Sequence, residues 1–287
     1  MWTTIIYLYF PDREGAERTL TRLIAAANYY EIEINPLKTT IRELPELLEP
    51  TWKTDLRSFV IGEKTERLDL LGFFSKAFDF AAKNPGNSVL KYAVKISLNH
   101  EVSAENWPMY ESFLLGSVVN EPGLIPVLAN VLKQYADKDY PVDGEKLRES
   151  LSVVCTHHSR LRQGFEVSWS LWLSKLFSIE LPPGVLKEVA LVEDSVVALI
   201  ALDLRRNGLA PGLETSTWEK SMSGEELYRE NWLLAYEALV HGWLTAKGGA
   251  DYVRDDPLFG LLQQKGVEFY NAGVSTAVPA GVWFAAY

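Results

Sequence analysis

The chain holds a single cysteine, Cys155, and only four histidines in 287 residues. One thiol cannot close an internal disulfide, and these few ligand-type residues fall at no spacing that suits structural zinc. Also missing is any run of eighteen apolar residues, the length that a membrane-spanning helix needs. The first residues lack the basic region, apolar core and small-residue cleavage site of a secretory signal, so the expected location is the cytoplasm. Positive charge is in short supply too: 28 Lys and Arg stand against 38 Asp and Glu, a net charge of -10. A broad phosphate-binding face needs clustered cations, and this balance argues against one. Residues 1–67 carry 9 basic and 11 acidic side chains (net -2), which leaves -8 for the remainder.

What is present is the composition of a folded protein, 47% hydrophobic and 23% charged, long enough for one large domain or two ordinary ones. Ile5-Ile6-Tyr7-Leu8-Tyr9-Phe10 is a β-branched and aromatic run that predicts a buried strand, ended by Pro11-Asp12. Asp12 is a candidate N-cap for a helix whose stripe Ala16, Leu20, Leu23, Ile24 and Ala27 would cover one face of a sheet. Glu31-Ile32-Glu33-Ile34 alternates as a half-exposed strand does, Asn35-Pro36 breaks it, and Thr39-Thr40-Ile41-Arg42-Glu43-Leu44 extends again. Residues 1–45 thus read strand, helix, strand, strand, with residues 5–10 expected to pair with 32–34 or 39–44 and to leave an exposed edge.

From about residue 65 the pattern becomes helical. Leu68, Leu71, Phe74, Phe78 and Ala81 form one stripe, closed by Asn84-Pro85-Gly86, and Val89, Tyr92, Ala93 and Ile96 begin the next. Further helices are predicted over 107–119, 122–135, 145–157, 165–177, 194–207 and 225–243. Helices of this length with short connections suit antiparallel pairs stacked as a solenoid. Leu71, Phe74, Trp169, Trp172, Leu199 and Trp232 are expected to be buried.

The strand at Tyr7-Leu8-Tyr9-Phe10, the helix after it and Ile34-Asn35-Pro36-Leu37-Lys38-Thr39 resemble the palm of reverse transcriptases. There, a hairpin bearing tyrosine, any residue and two aspartates precedes a strand, a helix and a leucine-asparagine-proline-x-lysine-threonine segment. Here isoleucine replaces the leucine. Trp232-Leu233-Leu234-Ala235-Tyr236-Glu237 and Val267-Glu268-Phe269-Tyr270 look like segments of the helical C-terminal regions of abortive-infection-type bacterial reverse transcriptases. The resemblance implies an α+β palm remnant over residues 1–62 and a mainly α helical-repeat (HEAT-like) domain over 63–287. It also implies an RNA-directed DNA polymerase, a nucleotidyltransferase of antiviral defence, whose intact form uses Mg2+ and holds a nucleic-acid template, primer or product. Homo-oligomers are an implied assembly, and a membrane is not an expected partner.

This chain departs from the family because Met1-Trp2-Thr3-Thr4 supplies no paired aspartates, so no catalytic residue is assigned to it and the fragment is expected to bind no metal and to be inactive. Met-Trp-Thr-Thr-Ile must be encoded as ATG TGG ACN ACN ATH, which one base earlier reads NAT GTG GAC NAC NAT and permits Tyr-Val-Asp-Asp-Tyr. The expectation is a reading frame that opens inside a frame-disrupted polymerase gene. By the resemblance, Lys38 is an auxiliary cation beside the incoming triphosphate and Asn35 a substrate-binding neighbour; by residue type alone they are a solvated lysine and a structural turn. The competing reading is a helical-repeat module for protein interaction or nucleic-acid holding, without catalysis.

Other residues invite weighing. His157-His158 with Arg160 and Arg162 is the densest cationic stretch of the helical region, and its ordinary reading is a solvated helix end. Trp169 and Trp172 have the spacing of a base-stacking platform, but their apolar neighbours favour core packing. Arg229 and His241 are too far apart for the motif of helical defence ribonucleases. Glu237 and His241, four apart on one helix, lack a third metal ligand and read as a helix-surface hydrogen bond. Asp255-Asp256-Pro257 reads as a helix start rather than an acidic pair.

Overall fold

The computed structural model describes residues 8–36, 39–43 and 50–273, the Lys247 side chain excepted. The chain divides into two units, Met1–Asp55 and Leu56–Tyr287. In the first, Asp12 accepts the Gly15 N–H at 2.7 Å and starts helix α1, Arg13–Tyr29, as the sequence predicts. No strand is assigned among the described residues, so the strand, helix, strand, strand order is found only as its helix. The α+β expectation is corrected to that extent, and Ile5, Ile6, Tyr7 and Leu44 lie outside the described residues.

The reason is local for Glu31-Ile32-Glu33-Ile34. Glu31 adopts φ 57, its N–H bonds the Asn28 carbonyl at 3.1 Å, and the Ile32 N–H bonds the Ala27 carbonyl at 2.9 Å. This is a Schellman helix end with Glu31 in the left-handed position, so the first half of the alternating tetrapeptide is consumed in closing α1. A β-branched run becomes a strand only where a partner supplies the ladder. The stripe on α1 is correspondingly uncovered: Leu23 and Ile24 are exposed, and no residue of α1 is buried.

Helix α2, Thr51–Arg57, precedes the second unit's body of α3 (Glu66–Lys83), α4 (Val89–Ser97), α5 (Trp107–Asn120), α6 (Ile125–Ala136), α7 (Gly144–Arg160), α8 (Gly164–Leu176), α9 (Pro183–Val189) and α10 (Ser195–Arg206). The short α11 (Ser216–Glu219), then α12 (Trp232–Val240), α13 (Tyr252–Asp255) and α14 (Phe259–Gln264) complete it. Neighbouring elements pack on one another, α3 on α4, α5 on α7, α7 on α8 and α9, and α10 on α8 and α12. The predicted helices are present with one split: residues 225–243 form a 3-10 turn at Gly224–Tyr228 and then α12. The break turns the Tyr228 hydroxyl toward Asp256, to which it donates at 2.8 Å.

Of the six residues expected inside, Phe74 and Leu199 are buried, Trp169, Trp172 and Trp232 are half-buried, and Leu71 is 37% exposed. The α3 stripe is rotated by one position, to Leu70, Phe73, Phe74 and Ala77. Two stripes compete where leucines stand at 68, 70 and 71. The aromatic pair decides between them, because this rotation stacks Phe74 on Phe113 at 4.7 Å and sets Phe73 edge-on to Phe59.

Side chains rising from the helices tie down loops far along the chain. Trp107 Nε1 donates to the Pro141 carbonyl at 2.7 Å, Trp218 Nε1 to the Val192 carbonyl at 2.8 Å, and Tyr135 Oη accepts the Val102 N–H at 2.9 Å. Glu111, buried within α5, accepts the Asp143 N–H at 2.9 Å, and Glu121 accepts the N–H groups of Leu90 and Lys91. Buried backbone groups in loops need partners, and these acids and aromatics supply them.

The approach of α8 to α10 needs a glycine. Asp194 caps α10 by accepting from Val196 and Val197 at 2.8 and 3.0 Å, and a Cβ on Gly164 would stand 2.5 Å from the other Asp194 carboxylate oxygen. Asp194→Ala is expected to cost about 1 kcal/mol, read as a lower urea midpoint at unchanged slope. An unchanged midpoint would show that packing alone holds the start of α10.

Candidate functional site

Asn35 stands exposed at a turn whose carbonyl accepts the Thr39 hydroxyl at 2.9 Å. Lys38 lies outside the described residues. Elsewhere, Arg160, His158, Arg229, His241 and Asp256 are already engaged. Arg160 pairs with Glu188 at 2.7 Å, which holds that carboxyl below its usual range, and His158 meets Gln163. Arg229 faces Glu225 and Glu226 at 3.6 and 3.5 Å, whereas His241 belongs to a different cluster. Asp256 accepts the N–H groups of Leu258 and Phe259, both at 2.9 Å, and so opens α14 as its sequence context predicts. Cys155 is fully buried, and burial pushes its thiol up to about 12, far from a reactive thiolate.

The ionisable groups gather instead where α8, α10 and α12 meet residues 267–272. Lys175 Nζ lies 2.6 Å from Asp203 Oδ2 and donates to the Ala272 carbonyl at 2.8 Å, with the rings of Trp172 and Tyr270 at 5.1 and 5.5 Å. Asp203, buried in α10, also accepts the Tyr270 hydroxyl at 2.7 Å and the Asn207 amide at 2.9 Å. Burial and the Asp203 carboxylate both push the Tyr270 phenol up, so it stays protonated and keeps donating. On α12, Glu237 Oε1 accepts the Phe269 N–H at 2.7 Å while its Oε2 lies 3.1 Å from His241 Nε2. The His241 ring stacks on Trp243 at 4.5 Å, and Tyr236 Oη donates to the Val267 carbonyl.

The Glu237–His241 pair is therefore buried rather than on the helix surface, because the returning chain at Phe269 and Tyr270 covers it. No group of three metal-ligating residues occurs among the described residues. One Glu237 oxygen is spent on a backbone N–H and the His241 ring nitrogen already faces Glu237 and the Tyr270 carbonyl, so these residues do not fit a polymerase metal centre. Their chemistry is that of a clasp: Lys175, Asp203, Tyr236, Glu237 and His241 fix one length of irregular chain against three helices.

Beside the clasp, α8 is apolar on its second face too. Val167, Ser170, Leu171 and Ser174 point into the core, and the face opposite carries Phe165, Trp169, Trp172 and Leu176. Phe165 is 50% exposed and the other three are half-buried. Phe165 meets the Trp169 ring edge-on at 6.4 Å and the Lys175 ammonium lies 5.1 Å from the Trp172 ring, so these side chains are engaged with their neighbours.

A second polar site is a recess of about 740 Å³ beside α3, lined by Lys64, Glu66, Arg67, His100, Ser103 and Asn106. That volume would admit a small molecule. Glu66 nonetheless has no capacity for proton transfer at neutral pH. Burial would raise its pKa, but hydrogen bonds from Asn106, Ser103 and His100 and from the Ser103 backbone outweigh it and hold the carboxyl at about 2. So weak a base is a tether for the loop before α5, not an acid-base catalyst.

Compared with family models, curated proteins and solved structures, the chain matches none. The described residues define a mainly α-helical protein, and no described helix is long and apolar enough to cross a membrane.

Proposed function

We propose that the chain is the non-polymerising, helical part of a defence-type reverse transcriptase, a HEAT-like repeat body that serves as an interaction module. The observation that carries the module reading is a mainly helical body whose buried ionisable groups are spent on holding chain rather than on chemistry. Support for the polymerase parentage is the motif Ile34-Asn35-Pro36-Leu37-Lys38-Thr39 and its distance from Tyr7-Leu8-Tyr9-Phe10. In the parent, Mg2+ and paired aspartates would carry phosphoryl transfer, and Lys38 would stand near the triphosphate. Template and primer would be contacted outside the acidic helical body.

The purified chain is expected to incorporate no deoxynucleotide on a primed template in single-turnover assays with magnesium or manganese. Robust metal-dependent synthesis would overturn the reading. Parentage is tested separately by the DNA upstream of the gene. A shifted frame encoding Tyr-Val-Asp-Asp within a polymerase supports it, whereas an unrelated regulatory region leaves a module with no polymerase ancestry.

A further inference from the structure

We propose that Asn207 and Gly208 form a one-way modification site that records opening of the clasp: once it is open, the Gly208 backbone nitrogen displaces the Asn207 side-chain amide, and the acid left behind opposes reclosure. Asn207-Gly208 is the one Asn-Gly pair in the chain, and both residues are exposed at the end of α10. Glycine leaves its own backbone nitrogen unshielded by a side chain, and here, at φ 75, it ends the helix. The closed clasp nonetheless holds both reacting groups. Asn207 Nδ2 donates to the Asp203 carbonyl at 2.8 Å and to Asp203 Oδ1 at 2.9 Å, and the Gly208 N–H donates to the Arg205 carbonyl at 3.1 Å. Closing a succinimide ring needs the Gly208 nitrogen eclipsed with the Asn207 Cβ about the Cα–C bond. At the observed ψ of 6 it is eclipsed with the nitrogen of Asn207 instead, so the ring cannot close until the turn rotates.

Asp203 couples that rotation to the clasp. Its Oδ1 accepts from Asn207 while Oδ2 takes the Tyr270 hydroxyl at 2.7 Å and faces Lys175 at 2.6 Å, so one buried carboxylate holds both the returning chain and the helix end. With the returning chain lifted away, Asp203 is hydrated and the last turn of α10 becomes a free helix end, which frays at little cost in free energy. The Gly208 nitrogen, its proton lost to water, then bonds Cγ of Asn207. The Cγ–Nδ2 bond breaks, and Nδ2 takes a proton from water and leaves as ammonia. Water opens the imide at either carbonyl to give aspartate or isoaspartate, with no oxidant or reductant involved. Either product removes the donor 2.9 Å from Asp203 Oδ1 and puts a carboxylate in its place. Asp203 is buried, so the repulsion between the two carboxylates is poorly screened and works against reclosure. Isoaspartate also lengthens the main chain beside the 2.9 Å bond from the Leu209 N–H to the Leu204 carbonyl.

Peptide mass mapping of the full chain, aged in mildly alkaline buffer, tests this by reading the amide-to-acid mass gain at residue 207. Conversion is expected to be severalfold slower in the native chain than in the guanidinium-unfolded chain. In native Tyr270→Phe, which removes one clasp bond and leaves Asn207 and Gly208 unchanged, it is expected to be severalfold faster than in the native wild type. Amide exchange reads the consequence: Asn207→Asp is expected to raise exchange at Phe269 and Tyr270 severalfold over Asn207→Ala, which lacks the donor but brings no charge. Equal conversion in native and unfolded chains, or in native wild type and Tyr270→Phe, would overturn the proposal, and so would equal exchange in the two Asn207 variants. The mass readout uses the unaltered Asn207-Gly208 pair, so it decides the matter even if the aspartate variant does not fold.

Discussion

Replacing Asp203 with alanine is expected to destabilise the protein by about 3–5 kcal/mol, the cost of leaving one member of a buried ion pair alone. Lys175 is 11% exposed and Asp203 2% exposed at the side chain, so neither charge is solvated once the other is gone. The ammonium would keep the Ala272 carbonyl and two aromatic faces, which soften the loss without neutralising the charge. Tyr270 and Asn207 would lose their acceptor at the same time. Urea denaturation measures the total, and amide exchange at Phe269 and Tyr270 shows whether the clasp opens before the body unfolds. The double variant Lys175→Met, Asp203→Leu should recover most of the loss, because an apolar pair leaves no orphan charge. A deficit below about 1 kcal/mol for Asp203→Ala would mean that water reaches the pair and that the clasp contributes little.

The parts of this molecule that sequence reveals are those set by neighbours three or four residues apart. Asp12 and Asp256 cap where turn chemistry places them, and α5, α7, α8 and α10 begin and end within a few residues of the periodic stretches. The strand reading of Glu31-Ile32-Glu33-Ile34 failed because a left-handed glutamate can end a helix as glycine does, which alternation does not disclose. The α3 stripe failed because the choice between overlapping leucine sets is made by Phe59 and Phe113, partners remote in the chain.

The clasp was illegible for the same reason on a larger scale: Lys175 and Ala272 are 97 residues apart, and Asp203 and Tyr270 are 67 apart. One signal was nonetheless present. Asp203 in Val-Ala-Leu-Ile-Ala-Leu-Asp-Leu, Glu237 in Leu-Leu-Ala-Tyr-Glu-Ala-Leu and Glu111 in Met-Tyr-Glu-Ser-Phe-Leu-Leu are acids set inside apolar helices. A buried acid needs a partner, so each such position announces a tether even when its partner cannot be named. The apolar neighbours of Trp169 and Trp172 point to core packing, and both rings are half-buried; α8 is apolar on both faces, so periodicity alone does not tell which one is the more deeply covered.

Glu66 supplies the acid limb of the stability profile. Its carboxyl titrates at about 2 in the folded chain against an ordinary 4.5, so between these values the unfolded chain binds more protons than the native one. Stability from this group is fully present above pH 4.5 and is lost as pH falls toward 2. The loss amounts to roughly 2–3 kcal/mol, the lower figure allowing for solvent at the mouth of the recess. Glu66→Gln removes the titration, and its amide N–H groups would oppose the Ser103 and Asn106 donors, so the variant should be less stable at pH 7 by a similar amount. Asp69, Asp143, Glu188 and Asp256 are also held low, but they stay in both proteins and cancel in the difference. Urea unfolding from pH 7 down to the acid limit should therefore give two curves that converge only below pH 4.5. Curves that stay parallel through that window would show that the four hydrogen bonds to Glu66 do not hold its charge in the folded protein.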